Sequence, residues 1–160
     1  MDCLSVFKNT KGLYLREGGE PRDNSLRIVV EEAFVNYTKT GSLALGPALA
    51  GIFGDAHPIE STEGCRTIEL FWKRYAAYLV TEECVAGGGT YEDEAYTGGL
   101  LRRYSQSHFL EHLARDTGGH LRPLEHYKLI CLNHVIDIAS EGPPEIRILS
   151  EERQVRDSVQ

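Results

Sequence analysis

The run YKLICLNHVIDIAS, residues 127–140, does most to limit what this chain can fold into. It is rich in Ile, Val and Leu and suits a long central strand, with a buried helix as the alternative. A second run, SLRIVVEEAFVNYT at 25–38, opens on β-branched residues and predicts another strand. Strands and helices mix along the chain without a regular βαβ alternation. The expected class is therefore α+β, with a mainly antiparallel sheet and one or two short helices. No internal repeat shows at a period of 20 to 50 residues. At 160 residues the chain is long enough for one domain with a real core and too short for two comfortable ones. The domain is expected over 1–150, followed by a polar, frayed tail at 151–160.

Other segments read less uniformly. REGGEPRDNS at 16–25 predicts a turn-rich break, and HPIESTEG at 57–64 a returning loop. Pro47 can open a short helix through Phe53. RTIELFWKRYAAYLVTEECV at 66–85 fits a helix through Ile68, Phe71, Trp72, Tyr75 and Leu79. It also fits two strands, with Ile68, Leu70 and Trp72 alternating before Lys73–Arg74 and Tyr78 and Val80 after. Aromatic and β-branched content tips the balance to two strands, and in either reading the aromatics are expected in the core. LLRRYSQ at 100–106 predicts a strand, and EIRIL after the Pro-Pro break a last short one.

Composition excludes several classes. With 41% hydrophobic and 26% charged residues, wholesale disorder is not expected. The most apolar window, LALGPALAGIFG at 43–54, is shorter than the roughly 18 residues of a membrane span and is broken by Gly46, Pro47 and Gly51. The N-terminus has an acid at position 2 and no apolar signal region, so the expected compartment is the cytoplasm. Cys3, Cys65, Cys84 and Cys131 form no C-x-x-C pair and are expected as free, mostly buried thiols.

The net charge of −7 is uneven, with four bases against eleven acids in residues 31–100 and near balance on either side. That disfavours nucleic acid, which needs a basic footprint, and suits a basic protein partner. The run GGGTYEDEAYTGG at 87–99 concentrates this character. Its acids would repel a phosphate, and they lack the alternate spacing of a calcium loop. Acids between tyrosines suit a basic protein surface, so Tyr91, Glu92, Asp93, Glu94 and Tyr96 are the expected partner-binding residues. A plain surface loop is the alternative.

HFLEH at 108–112 spells H-x-x-E-H. The stretch resembles the zinc motif of the pitrilysin or insulinase type of metalloprotease. The resemblance implies His108 and His112 as zinc ligands and Glu111 as general base. It covers five residues, and that family's further glutamate ligand lies far downstream in a zinc domain longer than this whole chain. Helix geometry points elsewhere. Ser107 can N-cap a helix from His108, Arg115 suits its last turn and Gly118 can end it. At about 100° per residue, Phe109, Leu110, Leu113 and Ala114 centre about 150° from the midpoint of the two histidines. A helix packed by its apolar face turns both histidines to water. Cys131, His134 and Asp137 could suggest a thiol nucleophile with base and orienter, but on a strand His134 faces away from the other two.

The sequence thus favours a non-catalytic acidic binding protein, an inhibitor or immunity-type protein occluding a basic partner. No catalytic residue, metal or cofactor is expected. The alternatives are a small zinc-dependent hydrolase built on HFLEH and a structural subunit of a larger assembly.

Overall fold

The computed structural model describes residues 2–37, 57–62, 64–86, 93–119 and 122–149. Two antiparallel sheets enclose one core. The first runs β1 (Gly12–Gly19), β2 (Leu26–Val35), β4 (Thr67–Trp72), β10 (Glu145–Leu149), with β3 (Ile59–Glu60) pairing on the end of β2. The second runs β5 (Tyr75–Glu82), β9 (His134–Ser140), β8 (Glu125–Ile130), β7 (Leu101–Gln106), β6 (Ala95–Gly98). Antiparallel sheet therefore dominates, as expected, and the described residues include one α-helix, α1 (His108–Asp116), and a short 3-10 helix at Cys3–Phe7.

Period-two patterning builds the core. Leu26, Ile28 and Val30 of β2 and Ile68, Leu70 and Trp72 of β4 meet Tyr127 and Leu129 of β8 and Ile136 and Ile138 of β9. Phe7 of the 3-10 helix joins the same cluster. Lys73 and Arg74 carry the chain from the first sheet to the second, so 66–85 is two strands. The expectation that its aromatics are core holds for Trp72, and in part for Tyr75, which packs against the same cluster. Phe71 and Tyr75 are half-buried, and Tyr78 is exposed because β5 is an edge strand.

Three other expectations need correction. The run 127–140 is neither one strand nor a helix. It is the β8–β9 hairpin, in which Ile130 pairs with Val135. The turn is held by Asn133, whose amide accepts from Leu15 N–H at 2.9 Å and donates to Leu15 C=O at 3.1 Å. The break expected at 16–25 begins only after Gly19. Cross-strand pairs Arg16–Glu31 and Glu17–Arg27, each at 2.6 Å, accompany the β1–β2 ladder past a bulge at Leu15/Glu17. Of the loop expected at 86–99, residues Ala95–Gly98 are strand β6, turned sharply into β7. Gly98 at that turn has φ +101°, and a Cβ there would sit 2.2 Å from the Leu101 carbonyl oxygen.

The four cysteines are free thiols, and only Cys131 is buried. None of the helices among the described residues is long and apolar enough to cross a membrane. The helix expected at Pro47–Phe53 and the tail at 151–160 lie outside the described residues.

Candidate functional site

Helix α1 begins where the sequence placed it. Ser107 is extended, and its Oγ accepts from Leu110 N–H at 3.1 Å. The helix lies on the outer face of the second sheet, against β8 and β9. Phe109, Leu110, Leu113 and Ala114 are accordingly half-buried, not core, because a single sheet face covers them from one side.

Alternation on β6, β7, β8 and β9 sends a polar and aromatic set to this outer face. Tyr96, Tyr104 and His126 stand side by side across three strands, with ring centroids 5.2 and 4.3 Å apart. The Arg102 guanidinium sits 4.3 Å from the Tyr96 ring centre, and the Phe109 ring covers His126 at 5.1 Å. Beneath the helix runs a hydrogen-bonded line absent from the sequence-based expectations. Ser107 Oγ lies 2.8 Å from His126 Nδ1, and His126 Nε2 lies 2.8 Å from Asp137 Oδ1. The acceptor carboxylate assigns the ring hydrogen to Nε2, which leaves Nδ1 to accept from the Ser107 hydroxyl. Lys128 completes the line at 3.2 Å from Asp137.

A serine, a histidine and an aspartate in sequence invite comparison with a hydrolytic triad. Here Ser107 Oγ is occupied by the helix cap and by His126, and both residues are buried. The line joins the helix to the sheet; it presents no nucleophile to a substrate. Asp137 is consequently not a partner of Cys131 or His134. The Cys131 N–H donates to the His134 carbonyl, and burial pushes the Cys131 thiol up to about 12. The signal for His126 was weak: one histidine in the polar half of an alternating strand, meaningful only once Ser107 and Asp137 are brought over and under it.

The acids expected at the loop tip fold back onto the helix start. Glu94 accepts the His108 backbone N–H at 2.9 Å, one of the donors a helix leaves unpaired at its N-terminus. Asp93 Oδ1 lies 2.9 Å from His108 Nε2, and Glu111 lies 3.3 Å from Nδ1. The hydrogen bond to Asp93, then that to Glu111, raises the His108 pKa, while the same contact lowers that of Asp93. His112 faces Asp116 at 3.4 Å. The two histidines of HFLEH thus take separate carboxylates. Among the described residues no group of three or more His, Cys, Asp or Glu is placed to hold a metal ion. Of the expected partner-binding residues, Asp93 and Glu94 come together with the helix start, whereas Tyr96 packs on Tyr104 and under Arg102 of β7; Tyr91 and Glu92 lie outside the described residues.

The central acidic surplus is also redistributed. Glu31, Glu32 and Glu69 pair with Arg16, Arg66 and Arg27. Among the described residues, Asp93, Glu94 and Glu111 crowd one histidine at the helix start, and Glu82 and Glu83 are exposed at the end of β5. Compared with family models, with curated proteins and with solved structures, the chain matches none.

Proposed function

We propose that this is a non-catalytic binding protein of inhibitor or immunity type, acting in the cytoplasm on a basic partner protein. The receiving surface is the start of helix α1, where Asp93, Glu94 and Glu111 surround His108, together with Tyr96 on the neighbouring strand; Tyr91 and Glu92 immediately precede these residues in sequence. One observation carries the reading. The Asp93 and Glu111 side chains are 64% and 58% exposed although both touch His108. They can therefore steer a basic surface while already held in place, which reduces the ordering cost of binding. Tyr96 adds rigid aromatic area.

The test uses immobilised protein beside the variant Glu92→Gln/Asp93→Asn/Glu111→Gln, which leaves the Glu94 cap intact. A basic partner captured by the first should associate more slowly with the variant, and its association rate should fall as salt rises. An association rate indifferent to salt and to the three substitutions would remove this surface from the reading.

A further inference from the structure

Strand β5 is an edge of the second sheet, paired with β9 alone among the described residues. Its register places Tyr78 opposite Ile138 and Val80 opposite Ile136, so both share the face of two fully buried isoleucines. Yet Tyr78 is 38% exposed, Val80 43%, and Leu79 on the other face 52%. Edge strands normally carry charges, prolines or bulges at their middle, which discourage pairing with another chain. β1 has ion-paired Arg16 and Glu17, and β10 has Glu145 and Arg147. β5 has three consecutive apolar residues there, and its one irregularity lies at its start, between Tyr75 and Ala77.

The ends of the strand are charged oppositely. Lys73 and Arg74 precede it; they are ion-paired within the chain to Glu145 and Glu141, yet their side chains stay 75% and 56% exposed. Glu82 and Glu83 close it, both exposed. We infer that β5 pairs antiparallel with β5 of a second copy of this chain, joining the two five-stranded sheets into one across a two-fold axis near Leu79. Antiparallel pairing brings each basic end beside the acidic end of the other copy, whereas parallel pairing sets like against like. It also places Tyr78 opposite Val80 of the second copy, an aromatic and β-branched pair of the kind that stabilises sheets. A basic segment of some other protein would gain at Glu82–Glu83 and be repelled at Lys73–Arg74. The strand's own sequence satisfies both ends. This surface is distinct from the helix start, so the two readings stand or fall separately.

A single strand pair is a narrow contact, below the roughly 1,200 Å² of standard stable interfaces. The dimer should therefore be weak, with a dissociation constant on the order of micromolar to hundreds of micromolar. Sedimentation equilibrium across that range should show a monomer–dimer equilibrium for the native chain and monomer for Leu79→Lys, with thermal melts checking that the variant is folded. Charge reversal identifies the strand and its direction. Glu82→Lys/Glu83→Lys and Lys73→Glu/Arg74→Glu should each be monomeric, and their equimolar mixture should dimerise again. A native chain that stays monomeric, a Leu79→Lys variant that dimerises as well as the native chain, or a mixture that fails to recover would each overturn the proposal.

Discussion

His108 takes one carboxylate from its own helix and one from fifteen residues earlier in the chain. Both favour the protonated ring, so its pKa lies above the ordinary histidine value. The stability these carboxylates contribute is fully present below the unfolded pKa and is lost as pH rises through the raised folded value. An NMR titration of the His108 ring should show a midpoint above that of a free histidine. Asp93→Asn should bring it down; a midpoint unchanged by that substitution would mean Asp93 does not set it. The cysteines offer a second check at this scale. Cys84 is exposed and should react with a thiol reagent in the native protein, whereas Cys131 should react only on unfolding, because burial disfavours its thiolate.

Helix α1 is nine residues long, too short to be stable by propensity alone, so its hold on the sheet decides whether it forms. Ser107 supplies both the cap and the bond to His126. Ser107→Ala should cost about 1–3 kcal/mol, a lost cap plus a buried histidine nitrogen left without its donor. A loss within the range of a simple surface substitution would mean water replaces the hydroxyl. The half-burial of Leu110 lowers what a core position would imply. Leu110→Ala should cost about 1–2 kcal/mol, from the smaller apolar area it covers. His112→Ala should stay within about 0.5 kcal/mol, since His112 is exposed. Urea melts of the three variants rank them directly.

At the scale of the molecule, a buried ion pair ties the N-terminal 3-10 helix across the first sheet. Glu32, with a side chain 4% exposed, accepts from Arg66 Nη2 at 2.5 Å, Arg66 Nε at 2.9 Å and Thr10 Oγ1 at 2.7 Å. Arg66 also donates to the Val6 carbonyl at 3.2 Å. The hydrogen bonds from Arg66 hold the Glu32 carboxyl below the usual glutamate range against the opposing effect of burial. A depressed pKa contributes stability above the unfolded value, and that contribution is lost as pH falls through the folded one. Arg66→Ala should destabilise by about 2–3 kcal/mol at neutral pH, toward the low side for a broken buried pair because Arg66 itself is partly exposed. The deficit of Glu32→Gln relative to the native chain should shrink in acid, where both side chains are uncharged. A deficit constant with pH would assign the effect to packing and not to charge.

Local chemistry was enough for some of this. Ser107 as cap, the turn at Lys73–Arg74, the alternation of Ile68, Leu70 and Trp72, and the outward side of His112 follow from spacing and capping within a few residues. The helix face was legible in direction but not in depth, because half-burial depends on what lies opposite. The division of 127–140 into two strands was hidden for a related reason: Asn133 makes the turn by bonding Leu15, which no local pattern reveals. Asp93 and Glu94 read only as partner-facing acids, with no contact inside the chain, because the His108 amide and ring that hold them arrive from a later element. Likewise, Tyr78 read as core until the edge position of β5 was known. Sequence alone determined which residues prefer strand, turn or cap, since those preferences act over a few bonds. Only the tertiary structure decided which polar groups meet and which apolar ones stay in water, because sheet order brings together residues distant in sequence.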